Sequence, residues 1–129
     1  MKKILFVFIL MILAVILVAC VSGSSIIGKW SVDPTSVALA ENILPDEQVI
    51  IEFKQSGDMV MDDLIDGTSQ GTETLYYKMV DKDTIWWCST AEECTEDYAL
   101  VVDFKIENNV LTLTPQDYPD EPLILNRIP

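Results

Sequence analysis

The sequence predicts an all-β domain: an eight-stranded antiparallel meander closed into a small barrel, with a short helical segment between the first two strands. Three observations predict it. From Ile26 onward apolar and polar residues alternate with a period near two, the period at which strand side chains change face. Turn-forming residues cut the alternation into short runs. Only the stretch 34–47 breaks the rhythm. Closing such a meander removes the exposed strand edges that otherwise aggregate, and a two-sheet sandwich is the alternative architecture.

Taken in order, the first strand covers 26–33. Residues 36–44 then hold good helix formers (Ala38, Leu39, Ala40, Glu41, Leu44), enough for one or two helical turns. The second strand, 48–54, sets Val49, Ile51 and Phe53 on one face. Gln55-Ser56-Gly57-Asp58 is a turn, and 59–65 returns as a hairpin. Residues 66–70 turn again, and 72–80 aligns Leu75, Tyr77 and Met79. Asp81-Lys82-Asp83 leads into 84–88. The strand 98–107 alternates cleanly, with Leu100, Val102, Phe104 and Ile106 on one side. Asn108-Asn109 is a hairpin turn of residues that tolerate positive φ, leading into 110–114, and 123–128 ends the series.

The N-terminus is of another kind. Met1-Lys2-Lys3 is positive, Ile4 to Ala19 is wholly apolar, and Val21-Ser22-Gly23-Ser24-Ser25 has the composition of a tether. Leu17-Val18-Ala19-Cys20 resembles the lipobox of bacterial lipoproteins at all four positions: an aliphatic residue, a tolerant position, a small residue and the lipidated cysteine. That resemblance implies a signal peptide over 1–19 and cleavage before Cys20. It also implies a diacylglyceryl or palmitate-type modification of the Cys20 thiol, a lipidated tether over 20–25, and a domain over 26–129 facing away from the cytoplasm on the cell membrane or outer membrane. The alternative is an uncleaved transmembrane helix, since the apolar run from Ile4 to Val21 is 18 residues. Two acyl chains anchor a protein stably, at about 0.8 kcal/mol per buried methylene. Five tether residues reach at most about 18 Å, so the domain is expected close to the lipid surface.

Charge and composition narrow the function. The chain carries 21 acidic and 8 basic side chains, a net charge of −13, and no histidine. Losing Lys2 and Lys3 with a signal peptide leaves six basic residues and a charge near −15. Phosphate recognition needs clustered Lys and Arg, so nucleic acid is not an expected partner. The excess of acid is expected to keep the domain soluble and off anionic headgroups. Without histidine there is no imidazole base, no Ser-His or Cys-His pair and no imidazole metal site. The chain is therefore not expected to be an enzyme, nor to hold a cofactor.

Gly28-Lys29-Trp30 opens the first strand, and Arg127, the chain's single arginine, lies in the last. The pair resembles the Gly-x-Trp motif and the closing basic residue of lipocalins and fatty-acid-binding proteins. Phe53 to Gly57-Asp58 and Leu111-Thr112-Leu113 resemble the "Phe … Gly-Asp" hairpin and "Leu-Thr-Leu" strand of lipocalin-like bacterial lipoproteins. The resemblance implies a lipocalin-like barrel in which Gly28, Trp30 and Arg127 close the floor structurally. A guanidinium over an indole contributes roughly 1–2 kcal/mol when partly desolvated. The chain is shorter than a typical lipocalin, which implies a small or filled cavity, and Thr95-Glu96-Asp97-Tyr98 departs from the Thr-Asp-Tyr signature by one residue.

Four further constellations stand out. Cys88 and Cys94 flank a polar loop and, in an oxidising compartment, read as a disulfide worth roughly 2.4 kcal/mol by loop entropy. Two reduced thiols at a redox or metal site are the alternative. Asp62, Asp66 and Glu73 occupy positions 1, 5 and 12 of a calcium-loop pattern, with Asp63 beside them, but Leu64 at position 3 cannot ligate and the flanks read as strands. A solvated acidic hairpin is the expectation. The adjacent aromatics Trp86 and Trp87, and Tyr76 and Tyr77, must point alternately in and out of the wall, and are the candidate ligand surface. Asp62, Asp63, Glu92, Glu93, Glu96 and Asp97 sit in acidic loops expected to be solvated rather than to form a glycosidase pair. Together these features predict a non-enzymatic, membrane-anchored binding protein for a small apolar or amphipathic ligand. The alternative is an acidic interaction module, inhibitor-like or envelope-structural, that docks a basic protein.

Overall fold

The computed structural model describes residues 25–36 and 46–129. Eight strands follow in chain order: β1 Gly28–Val32, β2 Glu47–Phe53, β3 Asp58–Ile65, β4 Thr68–Asp81, β5 Thr84–Cys88, β6 Leu100–Glu107, β7 Val110–Pro115 and β8 Leu123–Arg127. Each pairs antiparallel with the next, and β8 returns to β1, so the sheet is a closed barrel. The sandwich is thereby ruled out. The helical turns expected over 36–44 fall, apart from Ser36, outside the described residues. Ser36 itself is not helical: it is buried, and its hydroxyl accepts from the Ile124 amide at 2.8 Å, which laces the start of the β1–β2 connection to β8.

Several strand boundaries differ from the sequence expectation, β1 among them at Gly28–Val32 rather than 26–33, and two of the differences have a local reason. The turn expected over 66–70 is only Asp66-Gly67, with φ of 50° and 77°, and β4 starts at Thr68. Two residues with positive φ suffice for a tight hairpin whose twist matches its strands. Residues 68–74 are all exposed, so no apolar alternation marked them as strand. At the other boundary β6 begins at Leu100 rather than Tyr98, because the amides of Tyr98 and Ala99 both donate to the Thr95 carbonyl and hold a turn.

The barrel has two distinct ends. At the floor, β1 begins, β8 finishes and short turns join β2 to β3, β4 to β5 and β6 to β7. Trp30, Ile51, Phe53, Met59, Ile85, Val102, Leu111 and Leu125 fill the interior and are fully buried. The four inward residues expected along β6 all face this core. Leu75 and Tyr77 of β4 do as well, but Met79 is 46% exposed because the β4–β5 register slips just beyond it. The other end is the mouth, which the longer connections surround.

Candidate functional site

Construction of the floor explains the Gly-x-Trp motif. Trp30 and Arg127 are directly opposed on β1 and β8, so their side chains share a face. The guanidinium lies 4.2 Å from the centre of the indole. It also donates to the backbone carbonyls of Ser25, at 2.7 Å, and Ile27, while the indole N–H donates to the Ile26 carbonyl at 2.8 Å. Gly28 sits beneath this arrangement with φ of +132°, and a Cβ there would lie 3.3 Å from Arg127 Nη1. Gly28, Trp30 and Arg127 thus form one closure, and beside it a recess of about 490 Å³ opens at the floor between Ile26, Ile27, Gly57, Tyr77 and Phe104.

The mouth is built differently. Val49, Met61, Trp87, Leu100, Leu113 and Leu123 converge there around a cup of about 300 Å³ whose wall holds a single charged side chain, Glu121. Its base is the filled interior, through Ile51 and Val102. A recess of about 380 Å³ shares Val49 and Met61 with the cup and continues along the projecting β3–β4 hairpin to Glu47, Asp63 and Glu73. Asp63 is on the inward side of β3, two residues beyond Met61 and directly across from Val49 on β2. Its Oδ1 is buried and makes no hydrogen bond. Desolvation first, then the contact with Glu47 and the charges of Glu47 and Asp62, push the Asp63 carboxyl above the ordinary carboxylate range.

The remaining sequence candidates scatter. Of the four aromatics, only Trp87 enters the cup. Tyr77 is buried toward the floor, edge-on to Phe53 with ring centres 5.1 Å apart. Trp86 looks outward beneath Lys78 Nζ, 5.4 Å from its ring, and Tyr76 is on the same outer face. Asp62 points outward and accepts from the Ser69 hydroxyl at 2.6 Å, while Asp66 is at the hairpin tip and Glu73 lies across from Met61. Among the described residues no three carboxylate or thiolate groups gather closely enough to hold a metal ion. Cys88 and Cys94 are joined as a disulfide that gathers the β5–β6 connection beside the mouth. Cys20 lies outside the described residues.

The sequence placed Asp63 only in a solvated acidic hairpin, not on the inward face of the barrel wall. The signal was present in the parity of β3: Met59 and Met61 face inward, so the next inward position is 63. Among the described residues, basic side chains are confined to one end, where acids such as Asp58, Asp81, Asp83 and Glu107 accompany them. Lys29, Lys54, Lys78, Lys82, Lys105 and Arg127 all lie near the floor, and the described residues of the connections around the mouth carry acids and no basic side chain. Set against known protein families and curated proteins, the chain finds no match.

Proposed function

We propose that this chain is a membrane-anchored extracytoplasmic lipoprotein of lipocalin-like build, without enzymatic activity, that binds a small apolar or amphipathic molecule at the mouth of its barrel. The observation that carries the reading is the apolar cup of about 300 Å³ at the mouth, whose base is formed by the buried Ile51 and Val102. That volume is at the small end of ligand pockets, which run from about 300 to 1,000 Å³. The Gly28, Trp30 and Arg127 closure supports kinship with lipocalin-like proteins, and Leu17-Val18-Ala19-Cys20 supports lipidation. The floor is the end at which residue 25 enters the barrel, so a lipid on Cys20 would hold the floor toward the bilayer and leave the mouth open to solvent. The six basic residues would then face the headgroups, with the acidic mouth farthest from them.

Two measurements test this reading. Replacing Cys20 with serine is expected to move the protein from the membrane fraction to the soluble one; unchanged attachment overturns the anchor. Titrating the domain with decanol while following tryptophan emission is expected to show saturable binding through Trp87, lost in Val49→Phe, which fills the cup. Equal binding by both proteins overturns the location. A second reading, an acidic module that docks a basic protein, is favoured by the gathering of carboxylates around the mouth. It predicts a strongly salt-dependent association that Val49→Phe leaves intact.

A further inference from the structure

The floor carries a surface of its own. Beside the Gly28, Trp30 and Arg127 closure, the recess of about 490 Å³ has an apolar wall that includes Ile27, Met79 and Phe104. The only charged side chains in that wall are Lys78 and Lys82. Ile27 and Met79 are 43% and 46% exposed, so the rim is apolar and uncovered, and Val80 next to it is exposed as well. The other large apolar side chains exposed among the described residues are Tyr98 and Tyr118, which carry hydroxyls. Scattered exposed apolar residues need no explanation, but three gathered around a recess at one end mark a contact surface. Neither lysine is in an ion pair, since the salt bridge among the described residues joins Lys105 to Glu107. The acids of this end are engaged elsewhere. Asp81 and Asp83, on either side of Lys82, contact each other, and the Asp83 amide donates to Asp81 at 3.0 Å. Lys82 favours the charge of Asp83 without pairing with it, and Asp58 accepts from the Ser56 hydroxyl at 3.2 Å.

We infer that the floor is a membrane-docking surface: Ile27, Met79 and Val80 enter the bilayer interface, and the phosphate of a phospholipid rests against Lys78 and Lys82 at the recess. Position favours a bilayer lipid over a soluble anion. Ser25 and Ile26 line the recess, so an acylated Cys20, five residues before Ser25, would hold the bilayer within about 18 Å of it. The net negative charge of the chain does not forbid the contact. The carboxylates of the mouth stand about 20 Å away along a tilted strand of eight residues such as β3, more than two screening lengths of about 8 Å at 0.15 M salt. At contact range the apolar rim and the two cations decide. This inference rests on the reading of Cys20 as a lipid anchor, and adds that the domain touches the bilayer rather than standing off at the end of its tether.

The test uses the full acylated protein in vesicles of phosphatidylcholine, with and without phosphatidylglycerol. With Cys20 acylated and Cys88 bonded to Cys94, Val80→Cys supplies the one free thiol for an environment-sensitive dye. Gln70→Cys, on the β3–β4 hairpin at the mouth, is the control position. The dye at position 80 is expected to shift to the blue and to be quenched by spin-labelled lipid, and the dye at position 70 to do neither. Lys78→Gln with Lys82→Gln is expected to lower the docked-to-free ratio on phosphatidylglycerol vesicles about fivefold for each lysine, the scale for a basic side chain at an anionic surface, and by less on phosphatidylcholine alone. Ile27→Asp is expected to lower it on both. All three positions are exposed, so these variants leave the core intact, and unchanged thermal melts check this. If the protein floats with the vesicles while position 80 behaves as position 70 does, docking is wrong and the anchor stands. A blue shift that spin-labelled lipid leaves unquenched means that the chain itself covers the floor, and overturns docking. Quenching that none of the substitutions weakens overturns the recess as its seat. A protein that does not float with the vesicles overturns both docking and anchor.

Discussion

A single methyl group is enough to test how the floor is closed. Gly28 is at φ of +132°, a conformation that side chains with a Cβ rarely adopt, and the guanidinium of Arg127 passes directly above it. Gly28→Ala therefore meets backbone strain and a steric contact at once, and it displaces the group that covers Trp30. Strain of this sort costs about 1–3 kcal/mol, and urea denaturation is expected to register a loss in that range. Arg127→Lys separates charge from shape. Lysine keeps the cation but loses the planar fork that stacks on the ring and donates to the carbonyls of Ser25 and Ile27. It is expected to lose about 1 kcal/mol or more, the scale of one or two hydrogen bonds. Full stability in Arg127→Lys would mean that the charge, and not the stacked plane, closes the floor.

At the scale of elements, the strands were legible where one face meets the core and illegible where neither does. β2, β5, β6 and β7 alternate because inward and outward environments differ, and the bounds of β2, β5 and β7 fall within one residue of those the residues predict. The first seven residues of β4 meet solvent on both faces, so only the Asp66-Gly67 turn betrays them. The site was half legible for a related reason. Trp87 and the disulfide announce themselves by residue type, whereas the cup needs seven strands brought together, and Asp63 looks like any acid until the parity of β3 assigns it a face. The Cys88–Cys94 bridge offers the element-scale prediction. It closes a ring spanning six positions between β5 and the turn that precedes β6. Cys88 is 2% exposed, so the right replacement is alanine, which buries no hydroxyl. Cys88→Ala with Cys94→Ala is expected to lower unfolding free energy by about 2 kcal/mol, and reduction of the parent protein by a similar amount. A loss well beyond that from the double variant alone would mean that Cys88 packing, rather than ring closure, was the larger contribution.

For the whole molecule the governing facts are the excess of acid and the absence of basic side chains from the described connections around the mouth. A mouth ringed by carboxylates without basic neighbours repels itself, and folding concentrates that repulsion. Raising salt from about 0.01 M to about 0.15 M shortens the screening length from about 30 Å to about 8 Å, so the folded state should gain. The pH dependence follows from groups of opposite sense: Asp63 and Asp83 are raised, Asp33 and Asp81 lowered, and the adjoining Asp81 and Asp83 oppose each other. Burial and Glu47 raise the Asp63 carboxyl, so the fold takes up a proton there more readily than the open chain does. Between the ordinary carboxylate value and its raised value, stability increases as pH falls. Asp33 is shifted the other way, chiefly by the Thr35 amide and then by the Thr35 hydroxyl, both of which donate to its ionised form. Its contribution is retained through that window and is lost only on further acidification, below the ordinary carboxylate value. Thermal melts at low salt are thus expected to show a midpoint that rises from about pH 7.5 to about pH 5 and falls again in stronger acid. Added salt is expected to raise the midpoint most at the higher pH, where every mouth carboxylate is ionised. In Asp63→Asn the gain between those two pH values should shrink, while the fall in strong acid, to which the lowered Asp33 contributes, should remain. A midpoint that drops with salt at both pH values would mean that attraction between the floor's basic residues and the carboxylates around them outweighs repulsion within the mouth.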